Sequence, residues 1–480
     1  MNAFIKKADS APSFFWALFF TAIFIRLLAA FFLPVIDPSE ARYAEIARKL
    51  VEVNDWITLY HDYGMPFWAK PPLSTWLSSI GMLFFGINEF AARLPLFLIS
   101  LGIVGLVYSF AKQRSPQTLP FLSSLILLTG PLFYIASATI MTDMPLIFGM
   151  TLSMVAFWNT VRGHNPRFWG YLFFVGQAIG LLSKGPLCFA LTGFPLFVWV
   201  VSTRSIKETW KKFPWILGTC LMLAIAGPWY VLAELKTPGF LYYFIVGEHI
   251  NRFLVKGWEG DLYGHAHSSP LGLIWLYWAG ATFPWILWFI GFCFQKRGHW
   301  KSIFFEDKWR FYLLLWTFSP ILFFTFSGNI IWTYVLPSIP AFSLLISEAV
   351  AHTISNKNKF KYVFYGSVLL APLIMLGVVT YSLRVPETLN NQRRLVQHFM
   401  STYKDSFLVY YCHNCYSAEF YSGRQVPLIR EESELRQLLK RESVFVAMRK
   451  RKIDELPPDI RELLEKVQEY GSTTLFKKIK

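Results

Sequence analysis

Apolar stretches long enough to cross about 30 Å of hydrocarbon recur along almost the whole chain, and nothing constrains its fold more. They cover residues 14–34, 94–111, 119–136, 144–161, 185–202, 213–233, 271–294, 311–326, 330–347 and 363–383. A shorter run at 168–182 falls where another crossing is required, and 73–85 is either a surface helix or a tilted span. The sum is about eleven crossings, up to thirteen at most. The composition agrees: 54% of the 480 residues are hydrophobic, 16% are charged, and 47 are Phe and 19 Trp. That is more apolar side chain than one soluble core can bury, so lipid covers the rest. The first run has no small-residue cleavage site after it and is expected to stay as the first span.

A net charge of +16 would suggest nucleic acid in a soluble protein, but here the basic residues fall in alternate connections. Lys6 and Lys7 come first, then Lys112 and Arg114, Arg162 and Arg167, and Arg204 with Lys207, Lys211 and Lys212. Lys296, Arg297, Lys301, Lys308 and Arg310 follow, and Lys357, Lys359 and Lys361 close the series. Short basic loops stay in the cytoplasm. The expectation is therefore an inner amino terminus, with segments 35–75, 137–143, 183–185, 236–270 and 327–330 outside. The tail from about residue 386 is expected outside too. It becomes charged and reads as a small α/β domain, with strands at 407–411 and 444–447 and helices at 432–441 and 458–470. Two domains are expected, 1–385 in the membrane and 386–480 soluble.

The chemistry-bearing residues gather in the outer segments. The first contains Asp37-Pro38-Ser39-Glu40-Ala41-Arg42-Tyr43, then Trp68-Ala69-Lys70-Pro71-Pro72. Asp37 fits a helix cap and Glu40 the third residue of a capping box, with Arg42, Glu45 and Lys49 as surface pairs. Either carboxylate, beside the membrane, also fits a base that takes a proton from an acceptor hydroxyl. Lys70 sits on a stretch stiffened by two prolines, which suits a phosphate at headgroup depth as well as an ordinary snorkelling lysine. Asp143 precedes a span and Lys184 ends one; Glu248, His249, Arg252, His265, His267 and Tyr334 complete the outer set. Charges beside hydrocarbon gathered at one depth mark a functional site.

The run Ser39–Arg48, the segment 68–73, Glu89-Phe90-Ala91-Ala92-Arg93-Leu94-Pro95, Asp143, 183–186 and Tyr334-Val335-Leu336-Pro337 occur in an order that resembles the bacterial aminoarabinose transferases of lipid A. These belong with the protein mannosyltransferase-like membrane glycosyltransferases of the GT-C fold. The resemblance covers about 15–350 and implies an undecaprenyl-phosphate sugar as donor, and lipid A or another envelope glycan or protein as acceptor. It implies donor-phosphate contacts at Lys70 and Tyr334, with Arg42 and Tyr43 in the cavity. Lys184 and Arg252 are further phosphate candidates, and Glu248, His249, His265 and His267 further cavity candidates. Two departures stand out: relatives usually carry Asp-Glu where this chain has Ser39-Glu40, and many have Glu where it has Ala69. The first leaves the catalytic carboxylate open among Glu40, Asp37 and Asp143. The second weakens the carry-over of a metal contact, so a divalent metal stays open and no cofactor is assigned.

A polyprenyl phosphate is already a good leaving group, so transfer needs cations for the departing phosphate and, for a hydroxyl acceptor, a base. A phosphate acceptor needs little base. The rival class is a flippase for lipid-linked sugars, whose charges would sit at mid-membrane in repeated halves. Here Arg26 is the one charge deep in a span. Cys188, Cys220 and Cys293 lie in apolar runs, whereas Cys412 and Cys415 form a C-x-x-C that an oxidising compartment would permit to bridge.

Overall fold

The computed structural model describes residues 12–479 apart from 116–117, 256, 265–267, 357–359, 413–414 and 442. His265 and His267 lie outside the described residues. The chain begins with α1 (Pro12–Phe32), α2 (Ser39–Val53), a hairpin of β1 (Tyr60–Asp62) and β2 (Met65–Pro66), α3 (Leu73–Phe85) and α4 (Glu89–Lys112). Next come α5 (Leu119–Thr129), α6 (Pro131–Ala136), α7 (Asp143–Arg162), α8 (Pro166–Lys184), α9 (Leu187–Ser202) and α10 (Trp215–Lys236). The last membrane elements are α11 (Leu273–Thr282), α12 (Trp285–Gln295), α13 (Lys308–Thr325), α14 (Ile339–Asn356) and α15 (Phe360–Arg384). This is a polytopic α-helical membrane protein.

Every expected crossing is helical, but the crossings are not uniform. Among the described residues six helices are long and apolar enough to span alone, and a seventh span arises if α11 and α12, bent by 101°, count as one. The others are interrupted, short or, like the 19-residue α8, less apolar. Gly130-Pro131 separates α5 from α6, because proline cannot continue the hydrogen-bond ladder. Helix α9 has 16 residues, and α13 begins in the basic end at Lys308. Helices α7 and α8 pack with backbones nearly touching: a Cβ on Gly149 would lie 2.5 Å from the Gly176 carbonyl oxygen. Small residues permit such an approach, which is what associates helices in lipid. Arg26 opens no path through the bundle. Its guanidinium donates to the carbonyls of Tyr134 and Ile135, both at 2.7 Å, and these are end-of-helix acceptors that α6 itself cannot satisfy.

The two ends of the bundle differ. At one, Arg114 pairs with Asp307 at 2.5 Å and Glu348 at 2.9 Å, while Arg310 reaches Glu348 at 2.6 Å, so two of the basic connections are tied to each other and to α14. At the other end lie α2, the hairpin, α3, the described residues of 237–272 and those of the tail.

The tail holds α16 (Arg393–Thr402), β3 (Phe407–Tyr411), α17 (Tyr416–Ser422), β4 (Leu428–Ile429), α18 (Glu432–Leu438), β5 (Val444–Arg449), β6 (Leu464–Tyr470) and β7 (Thr473–Lys478). The sheet order is β4-β3-β5-β7-β6, parallel across β4, β3 and β5 and antiparallel across the rest. The helix expected at 458–470 is a correction: only Pro458–Arg461 is helical, and β6 follows. Leu464, Val467 and Tyr470 mimic a helical stripe, but Gly471, at φ 58°, turns the chain so that Tyr470 pairs with Thr473. Cys412 and Cys415 are bridged just before α17.

Candidate functional site

The first outer segment is built differently from its surface-helix pattern. Glu45, Arg48 and Lys49 are buried at 1%, 4% and 1% exposure, because α3 covers one side of α2 and α17 another. Arg48 holds Glu45 through two bonds of 2.7 and 2.8 Å. Lys49 donates to the His61 carbonyl at 2.8 Å and lies 3.6 Å from Glu419 of the tail.

The two carboxylates read as base or cap are both committed. Asp37 does not cap α2, whose start has no side-chain cap. It accepts instead from the Ser417 backbone N–H at 2.9 Å and from the Ser417 hydroxyl, holding the free first-turn donors of α17. Burial pushes its carboxyl up to about 7, against those Ser417 bonds. Glu40 accepts from Arg93 Nε and Nη2, each at 2.8 Å, and from the backbone N–H groups of Ile36 at 3.2 Å and Ile140 at 3.4 Å. Both Glu40 oxygens therefore accept hydrogen bonds from buried donors. Arg93 also donates to the carbonyls of Ala30, Leu33 and Pro34, so the pair clamps the exit of α1 to α4. Ser39, in the place of the family's first acid, is exposed at the start of α2.

The remaining candidates converge. After the hairpin, Tyr263 fixes the approach to Lys70: its hydroxyl donates to the Pro66 carbonyl at 2.6 Å and accepts from Trp68 N–H at 2.9 Å. Lys70 donates to Glu248 at 2.7 Å. Glu248 lies in a nine-residue π-helical run, Tyr243–Asn251, and both its oxygens also accept from Arg252 Nη1 at 3.0 Å. Asp261 stands 3.5 Å from the same guanidinium. Burial raises the Glu248 carboxyl, yet Lys70 and Arg252 outweigh it and hold the group below its ordinary value.

Beside this lies a second pair. Lys184, at the end of α8, donates to Asp143 Oδ1 at 2.7 Å, and its ammonium stands 5.3 Å over the Tyr334 ring. His249 joins the pairs, its ring nitrogens lying 2.7 Å from the Phe244 carbonyl and 2.9 Å from the Lys184 carbonyl. Only glycine fits at 185, where φ is 75° and a Cβ would lie 2.5 Å from the Phe244 ring. Arg42 donates to the Tyr263 carbonyl at 2.9 Å and stacks near Tyr43 and Phe67. Among the described residues no carboxylate pairs with Arg42, and its Nε is buried without an acceptor. Asp261 and Tyr263, which sequence reasoning missed, are marked only by lying in the same loop as the histidines.

The site thus collects Arg42, Lys70, Lys184 and Arg252 against Asp143, Glu248 and Asp261. Such an arrangement binds an anion and stabilises negative charge that develops on it. Among the described residues no three His, Cys, Asp or Glu side chains are grouped to hold a metal ion.

Residues 13–244 match the family described as dolichyl-phosphate-mannose-protein mannosyltransferase. The undecaprenyl phosphate-alpha-4-amino-4-deoxy-L-arabinose arabinosyl transferase of Aeromonas hydrophila is 29% identical over 375 residues, covering 76% of this chain and 66% of that protein. The enzyme of the same name from Erwinia tasmaniensis is 29% identical over 324 residues, covering 65% of this chain and 55% of its own. The chain thus spans just under two thirds of the first relative's length and less of the second's. The crystal structure of ArnT from Cupriavidus metallidurans bound to undecaprenyl phosphate superposes with a TM-score of 0.79 at 17% identity, over 98% of this chain and 99% of that one. The Archaeoglobus fulgidus oligosaccharyltransferase gives 0.51 at 10% identity, over 92% of this chain and 70% of that one. The fold is the GT-C fold, with a small C-terminal sheet domain.

Proposed function

From the likeness of this GT-C chain to aminoarabinose transferases and protein mannosyltransferases, we propose that it is a membrane glycosyltransferase moving a sugar from an undecaprenyl-phosphate carrier. The observation that carries the reading is the convergence of Lys70, Lys184, Arg252 and Arg42 at one end of the apolar bundle, around Glu248 and Tyr334. A phosphate held there has its sugar at the protein edge and its polyprenyl chain in lipid. As the glycosidic bond breaks, charge grows on the departing phosphate, and the fixed cations stabilise it without reorganising. Attack from the opposite face inverts the anomeric carbon. With Glu40 and Asp37 committed elsewhere, Asp143 is the candidate proton acceptor for a hydroxyl, since Lys184 takes only its Oδ1. A phosphate acceptor attacks as an anion and leaves Asp143 as the partner that holds Lys184 in place.

The sugar to test first is 4-amino-4-deoxy-L-arabinose, and the acceptor to test first is lipid A. On this reading residues 1–385 form the transferase and 386–480 an outer domain. The protein lies in the bacterial cytoplasmic membrane with its amino terminus inside, and the site and tail face the periplasm. The flippase reading has no such support, because Arg26 is spent on helix-end carbonyls.

The test is transfer by the purified protein from an undecaprenyl-phosphate sugar, with the product weighed by mass spectrometry. Lys70→Ala should reduce the rate by roughly 30- to 1000-fold, the effect of losing one charge-assisted contact to a developing anion. Thermal unfolding in detergent should stay close to wild type. Full turnover by a folded variant would remove Lys70 from the mechanism.

A further inference from the structure

The cations that the proposed reaction needs are not free. Glu248 takes a hydrogen bond from Lys70 and uses both oxygens on Arg252, with its side chain only 2% exposed. A carboxylate that accepts from two convergent cations occupies the position that two oxygens of a phosphate would take. It is carried on a π-helical run, a geometry commonly found as a local strained insertion at functional sites. Among the described residues Arg252 Nε is buried without an acceptor, so on their account the guanidinium has a donor unused while Glu248 is in place. The charges are nearly balanced: three carboxylates face four cations, and Arg42 is the one without a carboxylate partner among the described residues.

The balance separates donor from product. A sugar linked by a phosphodiester carries one negative charge, whereas the released carrier is a monoester whose second proton leaves near pH 6. We infer that Glu248 is a resident counter-anion, competing with the carrier phosphate for Lys70 and Arg252 so that the spent monoester is released more readily than the diester donor is bound. The inference rests on the reading of the site as a carrier-phosphate site. Glu248 acts through the two cations and is a positioning residue for them. Its competition weakens the dianion more than the monoanion, since the dianion gains more from each cation and is repelled more by the carboxylate.

Binding of undecaprenyl phosphate in detergent micelles, together with its inhibition constant as a product of transfer, tests this in wild type, Glu248→Gln and Glu248→Asp. Glu248→Gln should bind the carrier about tenfold more tightly, the usual scale for removing one close like charge. Its product inhibition constant should fall by more than its KM for donor. Glu248→Asp, one methylene shorter and still charged, should bind a few-fold tighter and keeps the question open to test if the Gln variant does not fold. A merely structural Glu248 would raise both KM and the inhibition constant. Weaker or unchanged carrier binding by a folded variant overturns the inference and leaves the transferase reading standing. Failure of wild type itself to bind undecaprenyl phosphate overturns both.

Discussion

At the scale of the residue, Arg93 holds the Glu40 carboxylate in a buried ion pair. The two lie 53 positions apart and are almost fully buried, and the guanidinium also fills three carbonyls at the end of α1. Removing one partner of such a pair leaves the other charge buried and unpaired, which costs about 3–5 kcal/mol. Glu40→Gln should therefore lower the unfolding temperature in detergent sharply. Replacing both residues with apolar ones, Glu40→Leu with Arg93→Met, should recover much of the loss, because the uncompensated charge is gone. If Glu40→Gln unfolds like wild type yet transfers no sugar, the carboxylate is chemical after all. Lys70 was legible because two prolines mark its stretch as rigid. Its partner was not, since Glu248 is 178 positions away and only its helical pairing with Arg252 shows in the spacing.

At the scale of the element, α17 is the latch between tail and membrane bundle. Ser417 binds Asp37, Glu419 faces Lys49, and Tyr421 accepts from Val35 N–H at 2.8 Å and donates to Glu89 at 2.8 Å. Asp37 is pushed up to about 7 by burial, opposed by Ser417 and Arg449. Glu419 is pushed up to about 7 by burial, opposed by Lys49 and Arg430 and reinforced by Glu45 and Asp62. Free carboxyls ionise near pH 4, so between roughly pH 4 and 7 the docked latch holds protons that an undocked one has released. Docking should weaken as pH rises through that window and level off above it. Amide hydrogen exchange at residues 416–422, corrected for intrinsic rates, should show more protection at about pH 5 than at about pH 8. The double variant Asp37→Asn with Glu419→Gln should flatten the difference. Protection that grows with pH would refute the account. None of this could be seen in the sequence, where Asp37 fitted a local cap and α2 fitted a surface helix. Both readings were local, and a helix about 380 positions away supplied the burial and the donors.

At the scale of the whole molecule the hydrophobic runs were legible, though the run expected at 330–347 continues as helix to Asn356 and the one expected at 94–111 begins at Glu89, because lipid imposes one rule on each of them: satisfy the backbone internally and present apolar side chains. What the runs could not reveal was straightness, as in the 101° bend between α11 and α12, since a break depends on how neighbours repack around Pro284. The alternation of basic loops makes a stronger demand. The Arg114, Asp307, Glu348 and Arg310 cluster ties basic connections at one end, and the candidate site and latch occupy the other. Both facts follow from a single threading of the chain through the membrane, whichever way up it sits. Orientation then rests on charge: Lys and Arg near the span ends hold a loop in the cytoplasm. On the proposed orientation α15 crosses outward and the tail that follows it is expected in the periplasm. A reporter that works only in the cytoplasm, fused after Lys480, should be silent, and one fused in the basic connection after α9, at Arg204, should be active. A phosphatase that works only in the periplasm should give the reverse pattern at the same two points. If both positions report the same side, the number of crossings between them is wrong. If they report opposite sides in the inverted order, the threading stands but the site faces the cytoplasm, where a carrier-linked sugar in the outer leaflet could not reach Lys70.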